Sequence, residues 1–141
     1  MKEHVIDGQG KILGRVASQA AKLLLSGDRV VLVNAEEIVI SGHPKSIIER
    51  YKQLVELKDK ANPEHSPYWS RRPDLFVKRV VRGMLPYKRP KGKKAYKLLR
   101  VYSSRPDGLG KAEDLASKSP SELYESTITI KELSRKLGYN K

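Results

Sequence analysis

Arg29-Val30-Val31-Leu32-Val33-Asn34 decides the fold, because four consecutive apolar residues make a strand with no polar face. Such a strand belongs in a parallel sheet whose two faces are covered by helices. Upstream, His4-Val5-Ile6-Asp7 reads as a short strand, and Gly8, Gly10 and Gly14 mark a turn into a helix. Leu13, Val16, Ala17, Ala20, Ala21 and Leu24 form the apolar stripe of that helix, Arg15, Ser18, Gln19 and Lys22 face away, and Gly27 stops it. Immediately downstream, Glu36 to Ile40 is expected to be a further short strand.

A second helix is predicted from Pro44, with Ile47, Ile48, Tyr51, Leu54 and Val55 as its core stripe. It gives way to a turn-rich segment from Asn62 to Pro73. From Pro73 a third helix places Phe76, Val77, Val80, Val81 and Met84 on one side and Lys78, Arg79 and Arg82 on the other, with Pro86 as its stop. Tyr87 to Lys94 reads as a basic loop, followed by a short helical turn and a strand at Leu99 to Ser103. The alternation of strands and helices predicts a parallel sheet sandwiched by helices with right-handed crossovers.

The chain divides into an α/β domain over residues 1–105 and a polar C-terminal extension over 106–141. Within the extension, Thr129 and Glu132 have capping-box spacing, Ile130, Leu133 and Leu137 make a small stripe, and Gly138 follows Arg135 and Lys136. A short terminal helix is therefore expected to dock, either on the domain or on a partner.

A chain of 141 residues with 38% hydrophobic content can build one real core. Without cysteine there is no disulfide, thiol nucleophile or thiolate zinc site. No apolar run approaches the ~20 residues that span a bilayer, and no signal segment precedes the first strand, so a cytoplasmic protein is expected.

Charge is distributed unevenly. Thirteen Lys and Arg fall between Arg71 and Arg105 against one acid, Asp74, so this stretch carries +12 of the formal net charge of +13. A cationic surface this concentrated suits a polyanion that releases counterions on binding, and nucleic acid is the leading partner. Arg71 and Arg72 precede the third helix, Lys78, Arg79 and Arg82 line it, and Lys88, Arg89, Lys91, Lys93, Lys94 and Lys97 follow. Tyr68, Trp69 and Tyr87 border the stretch and are candidates for stacking on unpaired bases, although Tyr68 and Trp69 suit core packing at least as well.

Other chemistries find little support. Gly8-x-Gly10-x-x-x-Gly14 followed by Glu36 approximates a dinucleotide fingerprint, but its spacing is one residue too long, and the glycines are expected to shape only a tight turn. Adjacent Glu36 and Glu37 would point to opposite faces of a strand and could not act as a facing pair. His4, His43 and His65 are too scattered for a metal cluster, and no nucleophile motif frames the serines. The basic stretch lacks the apolar anchors of a membrane-binding helix, and no helix-turn-helix, zinc-finger or bZIP pattern is present.

Ile6-Asp7-Gly8, Leu13-Gly14-Arg15-Val16-Ala17-Ser18, Val33-Asn34-Ala35-Glu36 and Arg82-Gly83-Met84-Leu85-Pro86 resemble, in this order, the motifs of the universal large-subunit ribosomal protein thirteen family. The resemblance covers about residues 3 to 106. Tyr68-Trp69 with Arg71-Arg72-Pro73, the short N-terminus and the tail are similar to the archaeal type. The resemblance implies a three-layer α/β/α sandwich with a mostly parallel four-stranded sheet. It also implies a non-enzymatic, cofactor-free constituent of the large subunit, bound to large-subunit rRNA beside other ribosomal proteins and not self-associating. Met84 and Leu85 are expected to face inward and Arg82 outward, with Gly83 permitting close approach of backbone or RNA. The competing readings are a nucleotide-dependent enzyme built on Gly8 to Gly14 and a free-standing RNA-binding regulator.

Overall fold

The computed structural model describes residues 2–57, 60–65, 69–112 and 126–139. Strands β1 (Glu3–Asp7) and β2 (Arg29–Val33) run parallel with Val5 opposite Val31, and β2 pairs in parallel with β4 (Leu99–Val101), giving the order β1-β2-β4. Helix α1 (Leu13–Leu25) crosses over from β1 to β2 and buries the stripe the sequence predicts. Gly27, at φ +92°, follows its end in the left-handed region that glycine adopts without strain.

The fourth strand expected in this sheet is arranged differently. Ala35–Glu37 is a 3₁₀ turn, entered through Asn34 at φ 57°, and the strand begins only at β3 (Val39–Ser41). β3 pairs antiparallel with β5 (Thr127–Thr129), a strand the sequence did not suggest, and touches the β1 side through a parallel bridge from Ile12 to Val39. Among the described residues the chain is thus mixed α/β, with a three-stranded parallel sheet, a two-stranded antiparallel ribbon and five helices.

Coverage of the main sheet is also asymmetric. Ile6, Val30, Leu32 and Leu99 share one core with α1, with Phe76, Val77 and Val81 of α3 (Pro73–Gly83), and with Ala95 of α4 (Pro90–Lys97). Ile47, Ile48, Tyr51 and Val55 of α2 (Pro44–Glu56) pack against the same core. The opposite face, Val5, Val31 and Val33, is covered in the described residues by Leu109 and Ala112 rather than by a helix. The apolar run in β2 records burial of both faces and is silent on what buries them.

The terminal helix α5 (Ile130–Lys136) docks on this body. Thr129 Oγ1 accepts the Glu132 N–H at 3.2 Å, as the capping spacing predicts, and Ile130, Leu133 and Leu137 enter the main core.

Candidate nucleic-acid interface

The basic stretch folds as two helices joined by a tight turn. Pro73 begins α3 with its fixed φ, and Phe76, Val77 and Val81 seat the helix on the sheet, which sends Lys78, Arg79 and Arg82 to its other side. After Gly83 the chain turns back on itself: Met84 and Leu85 donate backbone N–H groups to the Val81 and Arg82 carbonyls, and Arg89 donates to Pro86 at 3.0 Å. Leu85 is buried in the core, but Met84 is 41% exposed, against the expectation that both face inward. Met84 is the C-cap of α3.

Tyr87 to Lys94 is not a loop throughout: α4 begins at Pro90, so Lys91, Lys93, Lys94 and Lys97 project from a helix. Its inward positions are Gly92, Ala95 and half-buried Tyr96, too small and too glycine-rich to register as an apolar stripe. Gly92 lies so close to the turn that a Cβ there would overlap the Pro86 carbonyl and come within 2.8 Å of the Tyr87 nitrogen. The close-approach glycine is therefore Gly92. Beyond its chain neighbours and the backbone of its own helix, Gly83 has no protein atom within 4 Å of its Cβ position.

The candidate cations fall into three groups. Arg71 and Arg72 are engaged within the protein: Arg71 Nε donates to the Leu137 carbonyl at 2.8 Å, and Arg72 forms a two-pronged pair with Asp74 at 3.2 and 2.8 Å. Lys78, Arg79 and Arg82 are half-buried and lie over aromatic rings, at 5.1 Å from Tyr96, 4.9 Å from Trp69 and 4.0 Å from Tyr87. Lys88, Arg89, Lys91, Lys93, Lys94 and Lys97 are exposed and have no carboxylate partner among the described residues. Lys94 and Lys97 also lie in the last turn of α4, where the helix dipole favours positive charge.

Of the aromatic candidates, Tyr68 lies outside the described residues. Trp69 packs at 5.7 Å from Phe76 and 5.9 Å from Tyr51, with Arg79 over its ring, so it joins α2 and α3. Tyr87 stands edge-on to Tyr96 at 5.4 Å under the Arg82 guanidinium. Tyr96 was missed in the sequence, because the glycine and alanine beside it on the inward side of α4 leave no apolar stripe to mark it. Burial raises its phenol pKa, with Arg82 opposing. Between the end of α3 and the turn is a groove of about 400 Å³, lined by Arg79, Arg82, Gly83, Leu85, Pro86, Tyr87, Lys88 and Arg89.

The glycine turn after β1 has a different construction. A Cβ on Gly8 would run into the Ile38 side chain, and the Gly8 N–H donates to the Val33 carbonyl at 3.0 Å. Asp7 Oδ1 accepts from the Gln9 N–H at 2.9 Å and from Asn34 Nδ2 at 3.0 Å, tying together the carboxyl ends of β1 and β2. At Gly8 the Ile38 side chain fills the space beside the turn, whereas Gly10 and Gly14 face open space. Among the described residues no group of three His, Cys, Asp or Glu side chains is placed to hold a metal ion, and no helix is long and apolar enough to cross a membrane.

A family model described as Ribosomal protein L13 matches residues 1–107. A protein of Methanocaldococcus jannaschii named large ribosomal subunit protein uL13 is 45% identical over 135 residues, covering 95% of this chain and 96% of its own. Proteins of the same name from Archaeoglobus fulgidus and Methanococcoides burtonii are each 44% identical, over 140 residues (96% of this chain, 87% of theirs) and 137 residues (95% and 96%).

Proposed function

Because the chain belongs to the ribosomal protein L13 family, we propose that it is a structural constituent of the large ribosomal subunit that binds large-subunit rRNA through α3, the turn and α4. It is a non-enzymatic protein of the archaeal type, bound to ribosomes in the cytoplasm. The observation that carries the binding face is the set of six exposed cations without carboxylate partners among the described residues, presented by the turn and α4, which Leu85 and the close contact at Gly92 hold together. Phosphates supply the missing counter-charge, and the fixed turn spares the entropy of ordering the face on binding. Arg79 and Arg82 extend this surface, Lys78 flanks it, and Arg71 and Arg72 act mainly by holding the tail and the start of α3.

In this reading residues 1–105 form the centre of the rRNA-bound body, β5 and α5 of the 106–141 extension dock on it, and neighbouring large-subunit proteins pack beside it, with no homo-oligomer formed. The fourth strand of the family's sheet is β3, joined to the β1 side through its bridge at Ile12. Gly83, open to the groove, is where RNA comes close to the backbone of α3.

If about 6 to 10 phosphates are engaged, raising salt from ~50 to ~200 mM weakens binding by roughly 10³ to 10⁵. Replacing Lys88, Arg89, Lys91, Lys93 and Lys94 with glutamine should abolish co-sedimentation with the large subunit at moderate salt and leave the melting temperature within a few degrees. Undiminished co-sedimentation would sink the assignment of these residues, and a collapsed fold would show that they support structure.

A further inference from the structure

We propose that the groove between the end of α3 and the Met84-to-Arg89 turn receives one unpaired nucleotide of the bound RNA, its base stacked on the Arg82 and Tyr87 pair and its phosphate held by Arg79, Lys88 and Arg89. The proposal rests on the rRNA-binding reading and adds a specific subsite to it. A surface that only neutralises a phosphate backbone needs no cavity. This groove of about 400 Å³ has the size of a small-ligand site and combines an apolar floor, Leu85 and Pro86, with a cationic rim.

The rim is uncompensated. None of Arg79, Arg82, Lys88 and Arg89 has a carboxylate partner among the described residues, whereas nearby Arg72 is neutralised by Asp74. Arg82 and Tyr87 also supply the two planar surfaces on which unpaired bases are held, an aromatic ring and a guanidinium, 4.0 Å from guanidinium carbon to ring centroid. The platform is built from contacts within the protein. Tyr87 rests edge-on against Tyr96 at 83°, Lys78 lies 5.1 Å from the Tyr96 ring centre, and Gly92 admits α4 close beneath the Pro86 backbone. A base entering such a site orders few side chains, which favours binding.

The test is base and backbone probing of a large-subunit rRNA fragment bound by the full chain. The wild-type protein should shield at least one unpaired base, about tenfold or more in reactivity, beyond its backbone footprint. Arg82→Lys keeps the charge and loses the plane; Tyr87→Leu keeps an apolar filler over Tyr96 and loses the ring. Either should restore that base's reactivity while the backbone footprint persists at saturating protein. The variant Lys93→Gln/Lys94→Gln/Lys97→Gln should need more protein yet still shield the base. A base that stays reactive under a full wild-type footprint, or shielding that survives both substitutions, overturns the subsite and leaves rRNA binding standing. Absence of any footprint overturns both. Adenosine monophosphate alone, titrated to millimolar levels against Trp69 fluorescence, should not saturate; saturation at micromolar levels would assign the groove to a free nucleotide instead.

Discussion

Gly92 and Gly83 lie nine positions apart and meet opposite surroundings, so the same substitution should have opposite effects. Gly92→Ala forces a methyl group into the Pro86 and Tyr87 backbone, and overpacking of this kind costs ~1–3 kcal/mol or more. Gly83→Ala adds a helix-favouring residue in open space at the end of α3 and should be neutral or stabilising by up to ~1 kcal/mol. Denaturant unfolding of the two variants checks both signs; equal effects would contradict the close approach of α4 to the turn. Asp28 supplies a pH-dependent contribution. Its carboxylate accepts from His4 Nε2 at 2.9 Å and from the Lys2 N–H at 3.2 Å, the His4 hydrogen bond being the larger cause of a pKa below the ordinary 3.8. A depressed folded-state pKa gives stability that is present above the unfolded value and lost as pH falls through the folded one. Asp28→Asn should therefore lower stability at neutral pH, and the gap from wild type should close below about pH 4 as the wild-type carboxylate protonates. An unchanged gap at pH 2 would contradict it. At this scale the sequence disclosed residue types better than contacts: Asn34 was visible as part of a motif, but its left-handed backbone and its bond to Asp7 were not.

Helices with a strong apolar stripe, α1 and α3, were legible with their starts, because periodicity and an initial proline or glycine turn act locally. α4 was not, since it faces the core with glycine and alanine and begins in a run of Pro, Lys and Gly that reads as loop. β5 escaped for another reason: three residues pair with a partner more than eighty positions away, and no local pattern encodes that. The terminal strand and helix are more than a trailing appendage. Ile128, Ile130 and Leu133 are almost wholly buried, and Arg71 fixes the end of α5 by its bond to the Leu137 carbonyl. Fully burying each such side chain contributes ~1.5–3 kcal/mol, against a total stability of about 5–15 kcal/mol for a domain. A chain ending at residue 125 should accordingly lose its cooperative thermal transition or melt far below the full chain. A transition within a few degrees of the full chain would show that the tail adds no structure to the body.

For the whole molecule, separation of charge from core is what the fold achieves. The main core gathers the helices on one face of a small parallel sheet, while the run from α3 through α4 carries most of the net charge on its outward side. That asymmetry is a matter of residue types along the chain, which is why the polyanion partner was legible in the sequence. The division of the cations into engaged, ring-stacked and unpaired groups was not, because it depends on which carboxyl, carbonyl or ring each one reaches in three dimensions. Binding should therefore depend most on the unpaired set. The most direct measurement is the affinity of the full chain for a large-subunit rRNA fragment across a salt series, beside the variant with Lys93, Lys94 and Lys97 changed to glutamine. A steep fall of log affinity with log salt is expected for the wild type, with the slope reduced by ~1 for each phosphate-contacting lysine removed and the melting temperature unchanged. A wild-type affinity nearly independent of salt, or a variant with the same slope as wild type, would contradict the assignment of this face to rRNA.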